Sequence, residues 1–461
     1  MERNTLWSLR LGFSGKQAEL IKKEGIADFL KDSFSDKVDK QLPGFLKDSP
    51  KTLAEIQAYK QGYKDITDGR KKENAQFLTT SYNLRGWWVD KMRENKYPLR
   101  EKLVVFWHNH YVSAISKYRV PYWAYTHNMV LRENAFGNIK DLTKKILRTN
   151  AMVYYLDNNK NRNGRFNENL SRELLELFTL GVGNYTEQDI KNGARGLAGL
   201  FTADNGAAYN PKMENTDPFT YFGKTGNFKS DEMVDIIFSQ KKAPYFITRK
   251  LLKWFIYDNP PEALVTYYGD YLREMDYEMQ PFLTKLFTEE FSKDTAGSKI
   301  KDPLVYMLQL LDELTITNQN SKLIAAFVSN QGMDLFNQPN VKGWDGGNSW
   351  LTAQLYLKRN TTADNLCKGR NVAKINLTNL GDPGTDYNAE FDVKPEWKKA
   401  GDNKAVIAQL RDRLLCSADE QLQKDFENIL KHDFDAGSKS ADMAVLALVN
   451  YMVKTPEFQL I

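Results

Sequence analysis

The chain has 461 residues and a formal net charge of +5, with 41% hydrophobic and 27% charged residues, a composition typical of a globular protein with a sizeable core. Its only cysteines, Cys367 and Cys416, are too few for a disulfide framework or a thiolate metal site. The basic residues are scattered in short clusters, so we expect no nucleic-acid partner.

No segment of the sequence has the character of a leader or a membrane span. Arg10 interrupts the apolar part of the N-terminus. The longest apolar stretch, 443–453, is interrupted by Asn450 and is shorter than the roughly 20 residues of a span. We expect a cytoplasmic protein from the sequence as it stands, and a periplasmic or exported one if a leader has been removed.

Helical patterns dominate the first 156 residues. Residues 1–60 form short helical pieces, and a longer helix is predicted over 73–96. The next helix opens at Pro98 and contains the nearly all-apolar segment 103–112, so it is predicted to be central and buried. Two further helices are predicted at 122–135 and 138–156.

The segment 166–181 has the most complete helix signals in the chain. Asn167 is a natural N-cap, and Gly181 suits a left-handed C-terminal cap. Glu173 lies at the edge of the apolar stripe, where a partly buried carboxylate needs a cation, a hydrogen-bond donor or a metal. The opposite face has three charged residues at successive i,i+4 steps: Glu168, Arg172 and Glu176.

Residues 202–228 differ from the rest because they are rich in turn signals and contain the β-prone run 219–222. Before them, Thr186 and Asp189 form a capping-box pattern that opens a helix. After them, helical patterns resume at 230–240, 245–257, 261–274, 280–291, 303–314 and 321–329. Irregular segments follow at 337–350 and 361–402, and the C-terminal quarter is helical again.

These patterns predict an all-α fold with at most a small β-hairpin near 202–228. The sequence has no internal repeat. We predict a single helical domain over 1–461. Within it, two lobes at 1–201 and 229–461, joined by the irregular segment 202–228, are one possible arrangement.

Three segments carry a family resemblance: 100–110, 167–183 and 340–347, the last reading NVKGWDGG. They resemble the hallmark segments of the bacterial family known as domain of unknown function 1800, which 155–158 and 249–251 also match. The resemblance covers almost the whole chain in the family's order. It implies a predominantly helical fold with no established activity, frequent export, and a sulfatase-like partner encoded by a neighbouring gene.

The chain departs from the family pattern at two places. Thr216 precedes Asp217 where many members have a His-Asp pair, and Asn134 stands where many have histidine. This chain therefore lacks the histidines on which such family members could build a metal site.

His108 and His110 are half of the four histidines in the chain. Two positions apart on a helix, their side chains point about 160° apart and cannot share a metal unless the helix ends or unwinds there. One interpretation is a pair of buried, hydrogen-bonded histidines on opposite faces. The other is a site that one of them shares with Glu173 or Glu176.

Residues 157–168 have oxygen-bearing side chains at the spacing of a calcium loop. Arg162 occupies the position where the sharp turn requires glycine, and the neighbouring basic residues disfavour a dication. The alternative is an asparagine-rich turn that leads into a helix. The candidate calcium ligands are Asp157, Asn159, Asn161 and Glu168.

Two further groups of residues have both a structural and a functional interpretation. Arg172 and its neighbouring glutamates form either an ion-pair ladder or a substrate-orienting clamp with acid and base carboxylates. The loop 344–350 has two tryptophans around a glycine pair, which suits sugars or cations, or else places both indoles in the core.

Two hypotheses of function follow. In the first, the protein is a metal-assisted hydrolase with a divalent metal, and its pocket lies where the helices of the histidines and glutamates meet the tryptophan loop. In the second, it is a non-catalytic binding or assembly protein that acts with a sulfatase-like partner. The candidate catalytic residues are His108, His110, Arg172, Glu173 and Glu176. The candidate ligand-binding residues are Trp344, Asp345 and Trp350.

Overall fold

The computed structural model describes residues 1–64, 67–371 and 390–461, and helices make up 60% of these residues. Within these ranges the strands form only two short antiparallel pairs. The predicted all-α fold with a small hairpin is therefore confirmed. No helix in the described ranges has the length and apolar character that crossing a bilayer requires.

The helices of the first part of the chain precede the strands. They are α1 (Arg3–Leu11), α2 (Ala18–Glu24), α3 (Ile26–Ser35), α4 (Leu53–Lys64), α5 (Gly69–Glu94), α6 (Leu99–His110), α7 (Ile115–Tyr118), α8 (Pro121–Glu133), α9 (Ile139–Leu147), α10 (Asn150–Tyr155), α11 (Asn169–Glu173) and α12 (Glu187–Gly196). Thr186 and Asp189 form the predicted capping box at the start of α12.

The strands lie in or next to the predicted segment 202–228. β1 (Leu200–Phe201) pairs with β2 (Ala208–Tyr209), and β3 (Phe219–Tyr221) pairs with β4 (Lys224–Gly226). The later helices are α13 (Ser230–Phe238), α14 (Ala243–Phe255), α15 (Glu262–Glu274), α16 (Met279–Phe291), α17 (Pro303–Glu313), α18 (Ser321–Asn330), α19 (Ala353–Cys367), α20 (Asn403–Leu414), α21 (Glu420–Ile429) and α22 (Ala441–Met452).

Helix α6 is the central helix of the first part of the chain, and every residue in it except Asn109 is buried. Two of its charged residues have charged partners: Glu101 bonds Arg132 at 2.8 Å, and Lys102 bonds Asp302 at 3.0 Å. Such pairing is what allows charges to lie in a core. The prediction of a central, buried helix is confirmed.

One apolar core contains residues from both predicted lobes, from Leu6 to Ile461. Helix α5 packs along α18, and α3 packs against α16. In addition, Arg10 in α1 donates hydrogen bonds to Thr295. Helices from both sides of 202–228 therefore share this core, and the division into lobes stays a prediction.

The segment predicted as one regular helix, 166–181, changes type at its middle. Helix α11 continues into a π-helix at Leu174–Thr179. Oδ1 of Asn167 accepts the backbone N–H of Asn169 at 3.0 Å, which is the capping bond predicted for it, although the assigned cap position is the next residue, Glu168. The predicted regular helix is therefore wrong from Leu174 onward. A π-helix closes each hydrogen bond one residue later than an α-helix, so the residues after Leu174 rotate to a new face.

The irregular segment predicted at 361–402 begins later than expected. Helix α19 extends to Cys367, so the prediction is wrong at its start. The residues from 390 to 402 have no regular structure apart from bends. The remainder of the prediction, 372–389, lies outside the described residues.

Candidate ligand-binding site

A cleft of about 390 Å³ lies where α6, the π-helix, α14 and the loop 342–350 meet, and its volume is within the range of small-molecule sites. Four lysines line it: Lys250, Lys253, Lys299 and Lys342. Three carboxylates line it: Glu176, Asp258 and Asp345. Its apolar wall is formed by Phe106, Leu177, Val182, Phe246, Trp254, Trp344 and Trp350.

The aromatic side chains of the wall connect three elements that are distant in sequence. The ring centroids of Phe106 in α6 and Trp254 in α14 are 6.0 Å apart. Trp254 contacts Trp350 edge-on, with centroids 6.4 Å apart. Trp344 and Trp350 are only 5% and 2% exposed, so both indoles fill the core and present a small part of their surface to the cleft.

Asn109 holds the tryptophan loop against α6. Its Oδ1 accepts a hydrogen bond from the backbone N–H of Trp344, and its Nδ2 donates to the carbonyl of the same residue. Gly343 has φ +86°, and a Cβ there would lie 2.2 Å from Oδ1 of Asn109. The close approach therefore requires glycine at this position.

The lysines of the cleft differ in their partners. Lys299 is buried and lies 3.5 Å from Asp258; burial lowers its pKa, and Asp258 opposes that shift. Among the described residues, no carboxylate lies within ion-pairing distance of Lys250, Lys253 or Lys342. The cleft thus has four lysines and three carboxylates, and three of the four lysines have no carboxylate of the described chain in direct contact.

Lys250 is the most confined of these three lysines. Its Nζ donates to the carbonyl of Leu177 at 3.2 Å and lies 5.2 Å from the centre of the Phe246 ring. The side chain keeps some solvent exposure. Burial, and secondly the charge of Lys253, lower the pKa of Lys250 to about 7. Near neutral pH this amine is thus present in both protonation states.

The carboxylates of the cleft are partly engaged. Glu176 accepts a hydrogen bond from the hydroxyl of Tyr185 at 2.8 Å. Asp258 accepts from the backbone N–H of Ile300 at 2.9 Å, in addition to its contact with Lys299. Asp345 is exposed at the rim. These contacts leave the lysines as the groups most available to a ligand.

The C-terminal end of the π-helix contributes to the cleft through its backbone. The carbonyl of Leu177 accepts from Lys250, and that of Phe178 contacts Nε2 of His110 at 2.9 Å. Asn184 donates to the carbonyl of Leu180. Gly181, at φ +82°, has the left-handed conformation predicted for it. Side chains thus satisfy the carbonyls that the helix end leaves unpaired.

The two histidines of α6 lie outside the cleft lining, on different sides of the helix. Nδ1 of His108 accepts from Nε2 of Gln338 at 2.8 Å, and the ring packs against Trp88 and Phe336. His110 contacts the carbonyl of Phe178. Both are buried, and neither forms a hydrogen bond with the glutamates proposed to share a site with it. This arrangement matches the first of the two interpretations of the pair.

Arg172 and Glu173 also lie outside the cleft lining. Arg172 pairs with Glu168 at 3.2 Å and with Glu187 at 3.0 Å on the surface. Glu176, rotated away by the π-helix, bonds Tyr185 instead. Burial, and secondly the charge of Glu176, raise the pKa of Glu173. Of the five candidate catalytic residues, the cleft contains Glu176 alone.

The proposed calcium loop uses its oxygen atoms for contacts within the protein. Asp157 pairs with Lys117 and Lys160, each at 2.9 Å. Oδ1 of Asn159 accepts the backbone N–H of Thr202. The fourth candidate ligand, Glu168, pairs with Arg172, and Oδ1 of Asn161 accepts the backbone N–H of Asn167.

A divalent metal does not fit the residues that the structure brings together. Throughout the described ranges, no three side chains of histidine, cysteine, aspartate or glutamate are grouped so that they could hold an ion. Each histidine of α6 has one ring nitrogen that is buried without a hydrogen-bond partner, Nε2 in His108 and Nδ1 in His110. The two rings lie on different sides of α6, so these nitrogens cannot bind the same ion. The described residues therefore give no ligand set for a catalytic metal.

A second cleft, of about 440 Å³, adjoins the first and shares Val182 and Phe246 with it. Its arginine, Arg249, forms an ion pair with Glu262. Fewer cations converge there, so we place the candidate site in the first cleft.

The sequence predictions named two of the seven charged residues that line the cleft, Glu176 and Asp345, and missed the five others. Trp344, Asp345, Trp350 and Glu176 line the cleft, whereas the other predicted site residues do not. The lysines of α14 were missed. Their signal was a spacing of four and three residues from Phe246 to Lys250 and Lys253, which places all three on one face of a helix.

The fold and the cleft together define a predominantly helical protein with a cleft lined by lysines and aromatic side chains. The chain belongs to the family described as "Protein of unknown function (DUF1800)", whose model matches residues 5–460. No curated protein and no solved structure shows significant similarity to the chain.

Proposed function

We propose that this protein binds a small organic anion with an apolar or ring-shaped body in the cleft of α6, the π-helix and α14. The observation that carries the proposal is the convergence of four lysines on a wall of aromatic and aliphatic side chains. Lysines from three separate segments contribute, namely α14, the segment before α17 and the tryptophan loop. Lysines of an ordinary solvent-exposed surface are not expected to converge on a wall of apolar side chains.

The two parts of the cleft favour two parts of a ligand. A carboxylate, sulfate or phosphate group gains charge-assisted hydrogen bonds from Lys253 and Lys342, which have no carboxylate partner among the described residues. The apolar body of the ligand replaces water against Phe106 and Leu177. A pocket of this kind is apolar for the most part and has a few polar groups that fix orientation.

The placement of the candidate catalytic residues supports binding over hydrolysis. His108 and His110 are enclosed in the core, and Arg172 is paired on the surface. A hydrolase requires an acid, a base or a nucleophile next to its substrate, and Glu176 is the only one of the five at the cleft. The binding function therefore accounts for more of the observed site.

Isothermal titration calorimetry with phenyllactate, and with its uncharged amide as a matched ligand, tests the proposal. We expect phenyllactate to bind and the amide to bind about tenfold more weakly or not at all, since each charge-assisted bond contributes about 1.5–3 kcal/mol. The variant K253Q/K342Q should lose the preference for the anion. K72Q, which changes an exposed lysine outside the cleft lining, is the control.

Two results would contradict the binding function. One is equal affinity for the acid and the amide, and the other is an affinity for phenyllactate that K253Q/K342Q leaves unchanged. Because the contacts are between charges, the affinity of the unmodified protein should also fall as salt is added.

A sulfatase-like partner, which the family resemblance implies, stays a separate prediction. Co-purification of the two proteins after joint expression tests it. Repeating the experiment with K253Q/K342Q shows whether the cleft takes part in the contact.

A further inference from the structure

We infer that Lys250 is a nucleophile that forms a reversible Schiff base with the carbonyl group of an oxo-acid held in the cleft. This inference rests on the proposed binding function and narrows its ligand to an anion with an aldehyde or ketone next to the acidic group. Binding an anion by ion pairing does not require an enclosed lysine, whereas a covalent role for Lys250 does.

The position of the amine is the first support. Nζ of Lys250 lines the cleft, and its hydrogen-bond acceptor is a backbone carbonyl, that of Leu177, rather than a carboxylate. The surrounding side chains include Phe246 and Trp254, which are apolar and limit solvation of a charge. An enclosed lysine without an ion-pair partner is the arrangement that favours a neutral, nucleophilic amine.

The second support is a neighbouring cation in the position that an oxo-acid requires. Lys253 follows Lys250 by three residues in α14, so the two side chains extend from adjacent sites on one helix face. In a 2-oxo-acid, the class to which phenylpyruvate belongs, the carbonyl carbon is bonded directly to the carboxylate. Lys253 can therefore hold the carboxylate while Lys250 attacks the adjacent carbon.

The protonation state of Lys250 is compatible with this role. Its pKa is lowered to about 7 by burial and by Lys253, so about half of the amine is neutral at pH 7. An ordinary lysine is neutral in only about one molecule in a few thousand at that pH. The cleft thus increases the reactive fraction by roughly a thousandfold.

The chemical step is balanced without an oxidant or a reductant. The lone pair of the neutral amine forms a bond to the carbonyl carbon, and a proton moves from nitrogen to oxygen to give a carbinolamine. The second N–H proton is then lost, the hydroxyl group leaves as water after it is protonated, and a C=N bond remains. Addition of water reverses the sequence and releases the oxo-acid.

Reductive trapping tests the inference. The full-length protein is incubated with phenylpyruvate and sodium cyanoborohydride, digested and analysed by mass spectrometry. We expect an adduct on the peptide that contains Lys250, with a mass increase of phenylpyruvic acid minus one oxygen atom. The trapping rate should reach half its maximum near pH 7, as the pKa of Lys250 predicts.

Two variants locate the reactive amine. K250R keeps the positive charge but has no nucleophilic amine, and we expect at least about tenfold less adduct than with the unmodified chain. K72R, which changes an exposed lysine outside the cleft lining, should react like the unmodified chain. If K250R does not fold, as judged by its circular dichroism, K250M replaces it. Modification spread over surface lysines, with a rate that rises toward pH 10, would overturn the inference.

Calorimetry with phenyllactate separates the two proposals. This ligand has the same ring and carboxylate as phenylpyruvate but a hydroxyl in place of the carbonyl. If phenyllactate binds and phenylpyruvate gives no adduct at Lys250, the Schiff base is wrong and the binding function stands. If neither ligand binds, both proposals are wrong.

Discussion

The side chain of Asn109 forms two hydrogen bonds with the backbone of Trp344: its Oδ1 accepts from the N–H at 2.6 Å, and its Nδ2 donates to the carbonyl at 3.3 Å. The two residues are 235 positions apart in the chain. The pair connects the buried helix α6 to the loop that forms one wall of the cleft. Asn109 is the one residue of α6 that is not buried, and it lines the cleft.

Asn109→Ala should therefore destabilise the loop and weaken ligand binding together. Loss of both bonds leaves the N–H and carbonyl of Trp344, a buried residue, without a partner, which costs about 2 kcal/mol. Urea unfolding and phenyllactate calorimetry measure the two effects. Asn348→Ala, in an exposed position of the same loop, is the control and should change neither. Unaltered stability and affinity in Asn109→Ala would show that the loop is held by other contacts.

Gly343→Ala should destabilise the protein more than Gly332→Ala does. Both glycines have φ +86°, so both substitutions place a side chain in the left-handed region, at a cost of about 1–2 kcal/mol. At Gly343 the added Cβ also meets Asn109 at 2.2 Å, whereas at Gly332 it meets nothing within 4 Å. The difference between the free energies of unfolding of the two variants measures the cost of the clash with Asn109. Equal values would show that the clash has no cost.

Glu101→Gln and Glu173→Gln should have opposite consequences. Glu101 accepts two hydrogen bonds from Arg132 and one from Trp88 in the core, so removal of its charge leaves a buried cation unpaired and costs about 3–5 kcal/mol. For Glu173, burial raises the pKa, which means that the folded state disfavours its charge. Glu173→Gln should therefore keep or slightly increase stability at pH 7. A large loss in Glu173→Gln would reveal a structural partner for this carboxylate.

Acid should destabilise the protein through its buried histidines. Burial lowers the pKa of His127 to about 4, and lowers those of His108 and His110 well below the ordinary value. Between pH 6.5 and 4 the unfolded chain therefore binds protons that the folded chain does not. The free energy of unfolding should fall as the pH falls, with His127 alone contributing about 3 kcal/mol over this range.

Urea unfolding at a series of pH values measures this loss. His127→Gln should reduce the pH dependence, because it removes one of the groups that titrate only on unfolding. His432→Gln, at an exposed position, is the control substitution. A stability that does not change between pH 6.5 and 4.5 would contradict the prediction.

Calcium should not stabilise the loop 157–168. The carboxylate of Asp157 is paired with two lysines, and Asn159 and Asn161 accept backbone N–H groups, so a cation has to break contacts that the fold already makes. Thermal melts with added calcium, and after treatment with a chelator, should give the same Tm. A rise in Tm that is specific to calcium, and that Asp157→Asn abolishes, would restore the calcium-loop interpretation.

The helices were predictable where their signals are local. The apolar period and Pro303 place α17, which covers Pro303–Glu313, within one residue of the predicted range. Thr186 and Asp189 cap α12 because the capping box needs only residues three apart. The π-helix at Leu174–Thr179 was not predictable in this way, because the letters of 166–181 suit a regular helix equally well and the partners of its last carbonyls, Lys250 and His110, are distant in the chain.

The sequence by itself therefore determined the all-α fold, the family and the burial of α6, since these follow from periodicity, caps and motifs that lie close together in the chain. The tertiary structure alone decided which charges meet in the cleft. Lys250, Lys299 and Lys342 come from segments separated by tens of residues and gather only when α14 packs beside the π-helix and the tryptophan loop. It also decided the hydrogen-bond partners of the two histidines, Gln338 for His108 and the carbonyl of Phe178 for His110, which different elements supply.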